Sequence, residues 1–183
     1  MGKQFPEIDD THRAFIERQK IFFVGSAAPT GRVNVSPKGT DSLRVMSPNR
    51  VAYLDLTGSG NETSAHIAAC ADHRMTMMFC AFDGAPLILR LYGRGTVHRL
   101  GTPEYANLLP QFTDMPGAKQ IIQLDVEMVL TSCGYGVPFF EYREERPNIV
   151  RWAENKGEDG LETFRHEYNR FSIDGFPTGW PDA

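Results

Sequence analysis

The chain has 183 residues, with 19 Lys and Arg against 23 Asp and Glu, for a formal net charge of −4 at pH 7. Hydrophobic residues make up 41% and charged residues 23%, the balance of an ordinary globular domain, which excludes collagen, coiled coil, disorder and a disulfide scaffold. No basic excess is present to neutralise phosphates, so nucleic acid and anionic membrane surfaces are excluded as expected partners.

In chain order, residues 10–20 read as a helix with Phe15 and Ile16 on its buried face, and residues 21–27 as a strand. Pro29-Thr-Gly31 is turn chemistry. Residues 33–36 alternate with the period of a half-buried strand. Residues 43–46 and 51–56 are two more strands, split by Ser47-Pro-Asn49. A helix is expected at 63–71. Two apolar runs, 74–82 and 87–97, flank Asp83-Gly-Ala-Pro86 and make the clearest hairpin. A short helix at 103–109 starts at Thr102 with Pro103 at its first position. Residues 122–130 alternate as a long strand with one wet face, and residues 137–142 suggest one more strand. After Pro147 the pattern becomes helical, at 148–155 and 161–171.

Six or seven short strands with hairpin connections predict a closed antiparallel β-barrel with helices at its ends. A doubly wound parallel sheet would need crossover helices that the four-residue turn at 83–86 cannot supply. One domain over 1–183 is expected, with a helical C-terminal extension at about 147–183. Three cysteines, at 70, 80 and 133, form no disulfide framework and fit a reducing compartment. The start, M-G-K-Q-F-P, has no apolar signal region, and no apolar run approaches the ~20 residues that span a bilayer. The expectation is a cytoplasmic protein.

The segment 55–66, D-L-T-G-S-G-N-E-T-S-A-H, carries the most chemistry. It passes from an apolar strand through a Gly-rich loop into a helix, a junction that leaves free N–H groups and favours an anion. Ser59, Asn61 and Thr63 add side-chain donors, and Gly58 and Gly60 let the backbone approach a phosphate. The plainer reading is a capped turn, since Ser59 and Glu62 match the capping-box pattern. The dinucleotide fingerprint is incomplete here and lacks its βαβ setting. Upstream, the strand period places Asn34, Ser36 and Lys38 on one face. Lys38 is a candidate phosphate counter-charge, against the alternative of a solvated strand face.

Five stretches in order, N-V-S-P-K-G at 34–39, L-D-L-T-G-S-G-N-E-T at 54–63, R-L-Y-G-R-G at 90–95, S-C-G-Y-G-V-P at 132–138 and S-I-D-G at 172–175, resemble the pyridoxamine 5′-phosphate oxidase-like family. The resemblance implies a mainly β fold, an antiparallel six-stranded split barrel of the type that binds flavin mononucleotide (FMN). It implies a homodimer with FMN at the subunit interface and a small-molecule substrate. Asn34, Val35 and Ser36 would lie along the flavin ring, and Lys38 would approach the phosphate. Asp55, Leu56 and Thr57 lead into the loop, where Ser59 would contact the phosphate beside Gly60, Asn61 and Thr63, and Arg90 would approach from the following hairpin. Gly60-Asn61 stands where well-studied oxidases of the family carry an Arg-Lys pair, and the chain lacks their terminal Arg-Leu-x-Pro segment. The resemblance therefore implies a family-related FMN-dependent oxidoreductase rather than the oxidase itself. A non-catalytic flavin- or haem-binding carrier or sensor is the alternative, and a dimer with a decayed site a third.

Three other groupings carry plain readings. His66, Cys70 and His73 share a helix face, but no fourth metal ligand is evident, and Cys70 reads as a small buried hydrophobe. Cys133 is expected to be a buried or flavin-adjacent inert thiol. Residues 141–146, E-Y-R-E-E-R, read as solvated surface, and Trp152, Phe171, Phe176 and Trp180 as core or dimer contacts.

Overall fold

The computed structural model describes residues 2–181. Eight strands are present among them: β1 (Lys3–Phe5), β2 (Phe22–Ala27), β3 (Val33–Lys38), β4 (Leu43–Ser47), β5 (Arg50–Leu56), β6 (Arg74–Cys80), β7 (Ile88–Arg99) and β8 (Ala118–Ser132). Four helices accompany them: α1 (Asp10–Arg18), α2 (Glu62–Ala69), α3 (Pro103–Leu108) and α4 (Asn148–Tyr168). The strands form one antiparallel sheet in the order β3-β2-β6-β7-β8-β5-β4, with β1 added to β8. The fold class is thus mainly β with flanking helices, as the alternating runs and the 83–86 hairpin predict.

The sheet curls because strands twist and bulges add local bend. One bulge lies between Tyr92 and Gly93. Gly93 is required there, since a Cβ would overlap the Asp125 carbonyl oxygen. Curling wraps the inner face around Phe22, Val24, Tyr53, Met77, Phe79, Leu91 and Leu124, all buried, with Phe15 and Ile16 of α1 closing one end. On the outer face, Ala52, Leu54 and Ile121 pack against Tyr105 and Phe112 from α3 and the turn after it.

Three expectations are corrected. The sheet has eight strands rather than six or seven, because β1 is too short to show any alternation. The barrel is not closed by strand pairing, since β3 and β4 stand at opposite ends of the strand order. Lys38 of β3 instead reaches Asp55 of β5 through side chains. Residues 137–142 form no strand. Both edges of β8 are already taken, by β7 on one side and by β5 and β1 on the other, and Pro138 cannot donate to a ladder. The helical pattern after Pro147 is present as two segments meeting at Gly157 (φ 65°), ending at Tyr168 rather than 171. Beyond it the chain turns back on itself through a bridge between Phe171 and Pro177.

Candidate functional site

The split in the barrel is where the polar residues gather. On β3 the alternation turns Val33 and Val35 outward, 73% and 63% exposed, and leaves Asn34, Ser36 and Lys38 half-buried on the other face. The Asn34 amide donates to Ser26 Oγ and to Thr63 Oγ1, both at 3.4 Å, and Ser36 Oγ donates to Asn34 Oδ1 at 3.1 Å. As an end strand, β3 has one backbone edge with no neighbouring strand.

Facing it is the loop from β5 to α2. Thr57 is buried, and its N–H and Oγ1 both donate to the Gly117 carbonyl, at 2.7 and 2.8 Å. Arg165 Nε donates to Thr57 Oγ1 at 2.8 Å. Ser59 and Gly60 are exposed. The capping box expected from Ser59 and Glu62 is absent. The N-cap is Asn61, whose side chain makes no cap bond, because its amide is spent on the Asn169 carbonyl (3.1 Å) and its oxygen on Gln120 Nε2 (2.8 Å). Glu62 instead accepts the Ile173 N–H at 3.0 Å. The N–H groups of Ser59, Gly60 and Asn61 make no hydrogen bond among the described residues. A Cβ built on Gly58 or Gly60 meets no atom within 4 Å, so open space lies beside the loop backbone.

The electrostatic centre is Asp55. Lys38 Nζ lies 2.6 Å from its Oδ1 and Lys119 Nζ 3.5 Å from its Oδ2, where Gln120 Nε2 also donates at 2.8 Å. Burial works to raise the Asp55 carboxyl, but the two ammonium groups and these hydrogen bonds overcome it and hold it at about 2. Burial depresses the Lys119 ammonium, and Asp55 opposes that shift. Two lysines thus flank Asp55, and Glu62 adds a second carboxylate to the same cavity wall, so the formal charges balance.

Asn34, Ser36, Lys38, Asp55, Leu56, Ser59, Gly60, Asn61 and Thr63, singled out from strand and loop, line one cavity of about 320 Å³. Val35 points away from it, and Thr57 lies beneath the loop. Arg90 is not brought there. It stands opposite Met78 and Leu130 on β7, and its guanidinium donates to Ser132 Oγ at 3.2 Å. A second cavity of about 540 Å³ shares Asn34, Ser59, Gly60 and Glu62 with the first and adds Arg32, Tyr168, Phe171 and Ile173. Lys119, Gln120 and Asn169 were not legible as site residues, since no local pattern marks them.

The other groupings resolve simply. His66 pairs with Ser26 Oγ, Cys70 is buried and donates to the Ala27 carbonyl, and His73 meets the Ile67 carbonyl, so the three side chains go to different partners. Cys133 is exposed rather than buried, and residues 141–146 are exposed as expected. Trp152 packs edge-on against Phe164, and Trp180 lies beside the Arg165 guanidinium.

An open antiparallel barrel with a polar split is the fold of known split-barrel proteins. It is shared with a variant of HupZ from Group A Streptococcus (TM-score 0.53, 17% identity, 68% of this chain and 99% of that one). A putative pyridoxamine 5′-phosphate oxidase from Lactobacillus delbrueckii is equally similar (TM-score 0.53, 18% identity, 68% of this chain and 94% of that one). At those identities the likeness is one of fold. Sequence goes further: residues 8–133 match the pyridoxamine 5′-phosphate oxidase family. The chain is also 38% identical over 193 residues to the pyridoxamine 5′-phosphate oxidase family protein ustO of Aspergillus flavus, covering 94% of this chain and 76% of that one. The chain belongs to the pyridoxamine 5′-phosphate oxidase family.

Proposed function

We propose that the protein binds FMN in the split of the barrel and acts as an FMN-dependent oxidoreductase on a small-molecule substrate. The observation that carries this reading is the convergence of the β3 polar face, Lys38 and the unbonded amides of the 59–61 loop on one cavity. The Ser59, Gly60 and Asn61 amides, the Ser59 hydroxyl and Lys38 would hold the phosphate, at the start of a helix whose dipole favours an anion. Asn34, Val35 and Ser36 would lie along the ring, with the unpaired backbone edge of β3 offering donors and acceptors to its polar rim. Bound flavin supplies reversible one- and two-electron chemistry, and the chain supplies binding, orientation and electrostatics. Asp55 keeps Lys38 extended across the split, and Tyr168 and Phe171 offer exposed aromatic faces on the wall of the adjoining cavity.

The exposed valines on an end strand support a second copy of the chain covering this edge, giving a homodimer with FMN between subunits. Among the described residues no helix is long and apolar enough to cross a membrane. Three free cysteines, one exposed, support a reducing compartment, the cytoplasm. A flavin carrier is the second reading, favoured because the titratable groups at the cavity are engaged, Lys38 with Asp55 and Glu62 with the Ile173 N–H.

The test is the visible absorption and mass of whatever co-purifies, followed by titration of the flavin-free protein with FMN. Tight FMN binding is expected, and its absence overturns the reading. Sustained oxidation of a reduced nicotinamide donor supports the enzyme, and binding without turnover the carrier.

A further inference from the structure

The two glycine carbonyls of the loop are held from behind. In a planar trans peptide the C=O and the following N–H point in opposite directions, so fixing one aims the other. Asn169 Nδ2 donates to the Gly58 carbonyl at 2.9 Å, and Lys119 Nζ to the Gly60 carbonyl at 3.2 Å. Both side chains are buried, at 0% and 1% exposure. Holding these carbonyls inward turns the next amides, those of Ser59 and Asn61, toward the cavity. Without such anchors, peptides flanked by glycine would be free to flip. Asn169 is itself fixed: its carbonyl accepts from Asn61 Nδ2 (3.1 Å) and Thr178 Oγ1 (2.6 Å), and its Oδ1 accepts from Lys119 Nζ (3.3 Å). It lies just after α4, outside the 8–133 span that matches the family.

We propose that Lys119 and Asn169 are positioning residues that aim the Ser59 and Asn61 amides at the phosphate of FMN, which makes the C-terminal segment part of the phosphate site. The inference rests on the FMN reading above. Neither residue is a phosphate ligand. They act by pre-orienting the donors, so that binding does not have to order the loop.

The test compares FMN with riboflavin, which has the same ring but no phosphate. Asn169→Asp is isosteric and keeps the Lys119 contact, but sets an acceptor oxygen against the Gly58 carbonyl. Lys119→Met removes the second anchor. With flavin-free full chain, each variant is expected to lose at least about tenfold in FMN affinity, about 1.4 kcal/mol, while riboflavin affinity stays within about twofold. Equal losses for both ligands, or no loss for FMN, overturn the proposal. Should either variant fail to fold by circular dichroism, Thr178→Val decides. It removes one hydrogen bond from Asn169 without touching the loop, and must show a smaller loss confined to FMN; an unselective loss or none overturns the proposal. A wild-type chain that binds neither ligand overturns the FMN reading itself, whereas one that binds FMN with an unmoved ratio in the variants overturns only the positioning role.

Discussion

Strand β8 passes through two kinds of interior. At Ile122, Leu124, Val126 and Val129 its side chains join Phe79, Leu91 and Tyr53 in the apolar core. A few residues earlier, Lys119 and Gln120 are just as buried, but they lie among Asp55, Asn61, Ser64 and Asn169 and are held by hydrogen bonds and charge. The first region is stabilised by non-directional burial and tolerates changes that keep volume. The second depends on every partner being present, because an unpaired polar group or charge in low dielectric is costly. One strand thus carries stability at one end and holds the shape of the 57–61 loop at the other.

Breaking the apolar region should give the largest effect. Phe79 is fully buried and stacked on Phe22 with ring centroids 5.7 Å apart. Phe79→Ala should cost about 3–5 kcal/mol in denaturant melts, with the FMN-to-riboflavin affinity ratio unchanged in whatever fraction stays folded.

Acid should attack the polar region next. The Asp55 carboxyl titrates at about 2 in the folded chain against 3.8 ordinarily, so it contributes stability that is complete above the ordinary value and disappears as pH falls toward 2. The contribution is about 2 kcal/mol. Asp55→Asn should start less stable than wild type, with two buried-side lysines lacking their counter-charge. The gap should then narrow by about that amount between roughly pH 6 and pH 2. Unfolding curves at the two pH values check this, and a gap independent of pH would show that Asp55 is not the group responsible.

Within the polar region, Lys38 and Lys119 can be told apart. Lys38 is the more exposed member of the pair around Asp55, its side chain 25% exposed against 1% for Lys119. Lys38→Gln should weaken FMN by about tenfold, with the loss shrinking as salt rises, because an accessible charge is screened. Lys119→Met should give a loss that salt hardly changes. Titrations at low and high ionic strength separate them. The smallest effect belongs to the surface: Arg94 and Glu127 pair at 2.7 Å but are both more than half exposed, so Arg94→Ala should change stability by less than about 1 kcal/mol.

Much of the candidate site's grouping could be read before any coordinates. Asn34, Ser36 and Lys38 fall on one face because strand side chains alternate, and the Gly-rich loop meets them at the same cavity. The reading of Ser59 as a cap failed because a capping box is a local pattern, and the Asn61 side chain it leaves at the helix start is claimed by Gln120 and Asn169 from elsewhere in the chain. Residues 137–142 read as a strand by composition, yet a strand needs a free edge, and β8 offers none.

Local order along the chain was enough to settle the β class, the hairpins, the loop's glycines and the side of β3 that carries polar groups, since each follows from spacing between near neighbours. Folding in three dimensions settled the rest: where the barrel splits, which lysine stands buried against Asp55, and that Asn169 reaches back 111 residues to the Gly58 carbonyl. Contacts between residues so far apart obey no period, because they depend on which surfaces the finished sheet and the C-terminal helix bring together.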